Sequence, residues 1–173
     1  MYESKNAAQL RMDKGGEFGL KKQAQPQKYH VLARGAILTD HHLLVAHCKG
    51  MDNTFLPGGH VEFHESIRTS LQREIHEELG MACEVGAYIG AVEAAYEDKG
   101  VYHQEIGHVF VTRLDHPDPG RNPISQEDHL EFYWIPLDEM ERHNLLPVPV
   151  RNMIENYVKG VAGPGFGSTF EDA

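Results

Sequence analysis

The sequence predicts an α/β fold in which a mixed β-sheet lies between helices. Three observations carry this. Apolar runs come in hairpin-like pairs bounded by turn residues, one long amphipathic helix interrupts them, and a second helix follows the last run. Regular strand–helix alternation would predict a parallel sheet, whereas paired strands with helices between groups predict a mixed sheet with a helix on each face. The 173 residues suffice for one domain with a core. That domain is expected at 28–160, between a polar extension at 1–27 and a flexible Gly-rich tail at 161–173.

Residues 1–27 carry Gly15-Gly16, Gly19, Lys21-Lys22 and Pro26 among scattered apolar positions. Tyr2, Leu10, Phe18 and Leu20 are their candidate anchors, for instance across a homodimer. Residues 30–39 form the first expected strand, 40–42 a turn, and 43–48 the hairpin partner. Arg34 sits inside the first strand, where a guanidinium calls for an anion or carboxylate, or for an edge position in water. Residues 55–60 are a short strand ending in the glycine turn, in which Pro57 sets the approach to Gly58-Gly59, and 61–63 is a further brief strand.

From 67 to 79 there is no Gly or Pro. Ile67, Leu71, Ile75 and Leu79 recur every four residues and define one apolar stripe. Ser66 is placed to cap the start and Gly80 to end the helix in a left-handed turn. At about 100° per residue, Glu78 lies about 40° to one side of Glu74 and Glu77 about 60° to the other. Three like charges in one sector repel each other and destabilise a bare helix. A divalent cation would remove that repulsion, and oxygen donors suit magnesium or manganese. The glycine turn adds peptide groups within close reach: a carbonyl as a further hard ligand, or N–H groups for a phosphate.

Beyond the helix, 82–95 is a strand bent or bulged at Gly86 and Gly90, 96–100 a turn, and 101–113 the returning strand. Tyr96, Tyr102 and His103 stand at the loop end of that hairpin, where a base could stack. On the returning strand Glu105, Gly107, Val109 and Val111 share one face, an unusual setting for a solvated carboxylate. A Pro-rich loop at 115–128 ends in Glu127-Asp128. Residues 130–135 close the sheet with Trp134 in the core, and 138–142 form a short helix. The final helix, 150–159, presents Val150, Met153, Ile154 and Tyr157 to the sheet face opposite the first helix.

The order Gly59, five residues, Glu65, seven residues, Arg73-Glu74-Ile75, one residue, Glu77-Glu78, one residue, Gly80-Met81 resembles the complete signature of the Nudix hydrolases. The resemblance extends over about 29–157. It implies the family's α/β/α sandwich and divalent-cation-dependent hydrolysis of nucleoside diphosphates linked to another moiety. By position, Glu74, Glu77 and Glu78 resemble the family's metal ligands, with the Gly58 carbonyl as a backbone ligand and Mg²⁺ or Mn²⁺ as cofactor. Arg73 resembles the arginine that orients a neighbouring carboxylate, and Glu65 a partly structural position that bonds Arg73 or lies near the outer metal shell. A further carboxylate resembles Glu127, with Asp128 and Glu105 as rivals. The general base is open among Glu78, Glu105 and Glu127. Candidate substrate contacts are Arg34, Gly59, His60, Tyr96 and Arg113, with His64 flanking the helix entry. Tyr96 lies about where some dinucleoside-polyphosphate members carry a marker tyrosine. The implied substrate is a small nucleotide, such as a nucleoside triphosphate or an ADP-ribose-like compound.

Formal net charge is −10, from 16 basic and 26 acidic residues. A long nucleic-acid partner is not expected, since such surfaces cluster Lys and Arg. Cys48 and Cys83 lack the spacing of a zinc site and are expected to be free thiols. With no long apolar run and no signal-like start, the expected location is cytoplasmic, without a membrane span. Two other functional readings stay open: a nucleotide-binding regulatory protein of this fold, and an RNA 5′-end pyrophosphohydrolase.

Overall fold

Strand β1 (Gln27–Leu38) is buried on both faces along its second half, with Leu32, Ala33, Ala36 and Ile37 all at most 2% exposed. A strand apolar on both sides belongs in the middle of a sheet covered twice. The computed structural model, which describes residues 26–39 and 41–170, places it there. β1 turns antiparallel into β2 (His42–Cys48), but the two pair only at Ile37–Leu38 with Leu43–Leu44. β2 then takes β3 (Thr54–Phe55) on that same edge and β6 (Leu130–Pro136) along the other. On its far side β1 runs parallel to β5 (Val101–Leu114), which pairs antiparallel with β4 (Cys83–Asp98). The sheet is therefore mixed, in the order β3-β2-β1-β5-β4-β7, where β7 is Gly165–Ser168, with β6 on β2.

Helix α1 (Ile67–Leu79) has the predicted bounds and caps. The Ser66 hydroxyl accepts the Thr69 N–H at 3.1 Å, and Gly80 adopts φ +67° and donates its N–H to the His76 carbonyl. Leu71 and Ile75 are fully buried and Leu79 nearly so, against Ala33, Ile37, Phe110 and Trp134. Each such side chain contributes about 1.5–3 kcal/mol relative to exposure. Helix α2 (Pro149–Val158) buries Val150, Met153 and Ile154 against Ala36, Val92 and Val109 on the other face. The result is the α/β/α sandwich expected from the sequence.

Some elements differ from expectation. The sequence reading ends the domain at 160 and makes the rest a flexible tail, but β7 (Gly165–Ser168) pairs parallel with β4 at Gly90–Glu93. A Cβ at Gly90 would overlap the Gly165 carbonyl, and one at Gly167 would overlap Pro149. Gly167 allows close packing, and Gly90 does so at a φ of +147° that favours glycine. Residues 61–63 form no strand, and His60 makes only an isolated bridge to Leu32. The short helix after β6 is a single 3-10 turn, Leu137–Glu139. The register shifts of β4 between Val85 and Gly90 fall where the two glycines predicted a bulge. The predicted N-terminal extension lies almost wholly outside the described residues. No helix among those residues is long and apolar enough to cross a membrane.

Candidate active site

The site exists because β1 and β2 part company. Beyond their short pairing, residues 57–61 lie along the freed edge of β1. Gly35 N–H donates to the Pro57 carbonyl, Ala33 N–H to that of Gly59, and Val61 N–H to that of Val31, each at 2.9 Å. The turn must be Gly58-Gly59. Gly58 sits at φ +114°, and a Cβ there would overlap the Ala33 carbonyl. A Cβ on Gly59 would overlap the Glu74 carboxylate. The glycines thus bring peptide groups directly against the acidic edge of α1.

Glu78 is 4% exposed and accepts the Gly58 N–H at 2.9 Å. Burial pushes its carboxyl up to about 7, against the opposing pull of that hydrogen bond and of Arg34; Glu74 and Glu127 push it further. Burial also raises Glu74, against the effect of Arg73. Arg73 organises the helix edge. Its Nη2 and Nε grip Glu65 at 2.8 and 3.2 Å, and its Nη1 reaches Glu74 at 2.9 Å and Glu77 at 2.8 Å. Its Nη2 also meets the His60 carbonyl at 3.1 Å. This two-pronged grip and the Glu62 N–H hold Glu65 down to about 2.

From the sheet, Arg34 donates through Nη1 to the carbonyls of Leu56 and Gly58. The Gly58 carbonyl, expected as a metal ligand, is therefore in contact with a guanidinium; its second lone pair remains for another partner. Burial lowers the Arg34 pKa, and the nearby Glu105, Glu78 and Glu74 charges counter that. Arg34 shares its strand face with Ala36, and Glu105 shares its face with Val109, both on the α2 side of the sheet. Glu127 has a carboxylate oxygen 3.4 Å from the His129 Nε2 and lies near enough to raise Glu78.

The fold thus brings Arg34, Gly58, Gly59, His60, Glu65, Arg73, Glu74, Glu77 and Glu78 into one neighbourhood, with Glu105, Tyr96 and Glu127 around it. It does not bring Arg113. That residue lies eight positions along β5 from Glu105, which is about 26 Å, and pairs in solvent with Glu84 at 3.3 Å. His64 enters the helix at φ +72° with no hydrogen bond to the carboxylates. Sequence reasoning missed His30 and made little of His103. His30 Nε2 and His103 Nδ1 lie 2.8 Å apart, and His60 Nε2 is 2.9 Å from His30 Nδ1. The available signal was spacing: His30 stands four residues before Arg34 and His103 two before Glu105, on the same strand faces.

The donors fit a hard divalent cation. Glu74 and Glu78 are carboxyls whose ionised form lacks full compensation, and carboxylate and peptide oxygens are the ligands magnesium and manganese prefer. Among the described residues no three His, Cys, Asp or Glu side chains already converge as a cage.

Comparison with known proteins agrees with this geometry. Residues 29–157 match the NUDIX domain model, and the chain belongs to that family. A curated relative, isopentenyl-diphosphate Delta-isomerase 1 of Aromatoleum aromaticum, is 33% identical over 85 residues, 48% of each chain. The chain thus spans about half the length of that relative. Among solved structures, a NUDIX hydrolase from Nitrosomonas europaea aligns with TM-score 0.59 at 22% identity, covering 79% of this chain and 93% of that one. A MutT protein from Bacillus halodurans gives 0.60 at 15%, covering 80% and 88%. An ADP-ribose pyrophosphatase from Streptococcus suis gives 0.57 at 15%, covering 80% and 98%. At these identities the structural likeness is one of fold.

Proposed function

We propose that the chain is a Nudix-type pyrophosphohydrolase that cleaves a phosphoanhydride bond in a nucleoside diphosphate derivative by attack of water at phosphorus. The observation that carries this reading is the buried Glu78 carboxyl beside Glu74 and the Gly58-Gly59 turn. Burial that leaves the carboxylate charge without full compensation favours either a cation or a proton taken from water at this position. In the reaction the water oxygen forms the new bond to phosphorus, the bridging P–O bond breaks, and the leaving phosphate departs with its electron pair. The proton of the water passes to a carboxylate of the site. Glu78 is the best-supported acceptor, with Glu105 and Glu127 as rivals.

Glu74, Glu77 and Glu78, with the Gly58 carbonyl, would hold Mg²⁺ or Mn²⁺. Such an ion, when bound, neutralises phosphate charge and acidifies water. Arg73 positions Glu74 and Glu77 through the hydrogen bonds of its Nη1. Arg34 offers a guanidinium to a phosphate once it leaves the Leu56 and Gly58 carbonyls. A small nucleotide is the proposed substrate class, in keeping with the ADP-ribose named for one protein of similar fold.

The test is turnover of a panel in ¹⁸O-labelled water with Mg²⁺ or Mn²⁺, read by phosphorus NMR and mass spectrometry. The panel holds nucleoside triphosphates, ADP-ribose, dinucleoside polyphosphates, a sugar nucleotide, capped oligoribonucleotides and isopentenyl diphosphate. Cleavage of a free nucleotide with ¹⁸O in one phosphate product is the expected result. Cleavage of the capped oligomer alone would move the assignment to RNA 5′ ends. Rearrangement of isopentenyl diphosphate without label uptake would replace hydrolysis by isomerisation. Tight nucleotide binding without turnover would leave the regulatory reading.

A further inference from the structure

The hydrolase reading accounts for the carboxylates and for Arg34. It leaves unexplained a row of four rings crossing three strands and the glycine loop. Tyr96 on β4 pairs in register with His103 on β5, and their rings are 4.8 Å apart and parallel within 4°. His103 and the His30 ring on β1 are parallel within 7°. His60, after the glycine turn, meets His30 edge-on at 4.9 Å. Strand alternation puts His103 on the face of Glu105, two residues or about 7 Å away along β5, and His30 on the face of Arg34, four residues or about 13 Å away along β1, where His30 stands opposite Glu105 in the β1–β5 register. The row therefore borders the reacting centre.

The hydrogen bonds give the row a polarity. His30 uses both ring nitrogens, Nε2 toward His103 and Nδ1 toward His60. A neutral imidazole has one donor and one acceptor. When all three rings are neutral, one end of the chain must present a donor and the other an acceptor. The end atoms are His103 Nε2 and His60 Nδ1, which have no protein hydrogen-bond partner among the described residues. Among the described residues the three rings form no metal group, since His30 turns its nitrogens to different neighbours. Tyr96 is 48% exposed, so the stack keeps an open aromatic surface at its β4 end.

Resting on the hydrolase reading, we propose that Tyr96, His103, His30 and His60 form the subsite for the substrate's nucleobase. The exposed Tyr96–His103 stack takes the planar ring, and the free nitrogen ends pair with its polar edge. An aliphatic diphosphate would fit this shelf poorly, because it would cover the two free nitrogens without pairing them. A bare phosphate would leave the aromatic surface unused. His30 acts as a positioning residue, since it sets which edge of His103 and His60 is free.

The test uses the full chain labelled with ¹⁵N at histidine, in EDTA so that nothing turns over. Imidazole ¹⁵N–¹H spectra are followed on adding AMP, GMP or UMP, and separately ribose 5-phosphate, inorganic pyrophosphate or isopentenyl diphosphate. His30→Phe and His103→Phe assign the resonances. At least one nucleotide should shift His30 and His103, and the base-free phosphates should not. His103→Phe, which keeps the stack and removes the nitrogens, should weaken binding of that nucleotide about tenfold. His30→Asn, tested in parallel, should also weaken it. Equal shifts with ribose 5-phosphate or isopentenyl diphosphate, no shift with any nucleotide, or unchanged binding in both variants would each overturn the proposal. Turnover without base-dependent shifts removes the shelf and keeps the hydrolase. Base-dependent shifts without turnover keep the shelf and remove the hydrolase.

Discussion

Helices α1 and α2 cover opposite faces of the same sheet, and each works with a pair of glycine contacts, yet only one of them carries charge into the interior. α2 buries Val150, Met153 and Ile154 and nothing polar. α1 buries Leu71, Ile75 and Leu79 but also Ser70 and Glu78. At α2 the glycines let two strands close up, Gly90 against the Gly165 carbonyl. At α1 they let peptide groups meet carboxylates, Gly58 N–H on Glu78 and Gly59 under Glu74. The same lack of a side chain serves packing on one face and chemistry on the other. What separates the two is whether the partner atom is already hydrogen-bonded backbone or an ionisable group whose desolvation must be offset.

The largest test of this contrast is a pair of substitutions. Glu78→Gln should lower kcat by roughly 10²–10⁴, while metal-free thermal melts at neutral pH show no loss of stability. The amide can still accept the Gly58 N–H, and the cost of a buried charge disappears. Ile154→Ala on α2 should do the reverse. A fully buried side chain lost to a cavity costs about 2–5 kcal/mol in denaturant unfolding, with kcat per folded molecule retained. If Glu78→Gln unfolded the protein as Ile154→Ala does, the division of labour would be wrong.

The glycines sharpen the contrast on a smaller scale. Gly90→Ala should cost about 1–3 kcal/mol, because its Cβ meets backbone and its φ is +147°. Gly59→Ala meets only the end of the Glu74 side chain, so its effect should fall on turnover and metal affinity. Parallel equilibrium unfolding and kinetics of the two variants separate these outcomes.

The smallest effect expected concerns acid stability. Glu65 is held down to about 2, so the native state binds fewer protons there than the unfolded chain. The sign follows from linkage: its contribution is present above about pH 4.5 and is lost as pH falls through about 2. Urea midpoints measured from pH 5 to pH 2 should therefore fall less steeply for Glu65→Gln than for the parent. Equal slopes would show that the Arg73 grip contributes nothing to folding.

How far the chain is legible from its sequence varies by element. Helix α1 was readable to the residue, because its stripe, Ser66 and Gly80 are local signals that tertiary contacts reinforce. The strands were readable as elements with shifted ends, since alternation survives but pairing sets length. The carboxylates, glycines and Arg73 stood in one continuous stretch, so their meeting needed only a turn and a helix. β7 was misread because glycine written in a sequence does not distinguish freedom from close approach. Arg113 was misplaced because an arginine near a strand end carries no sign of which end faces the site.

By itself, the sequence determined the sandwich class, the helix with its caps, and the acidic edge set against a glycine turn. These depend on periodicity and on steric limits that act within a few residues. Tertiary structure alone decided that β1 separates from β2, that Arg34 and Glu105 meet across the β1–β5 pair on the α2 side of the sheet, and that His30, His60 and His103 join with Tyr96. Those contacts link residues up to 73 positions apart through a parallel β1–β5 register. Register is set by the packing of whole faces, which no local pattern records.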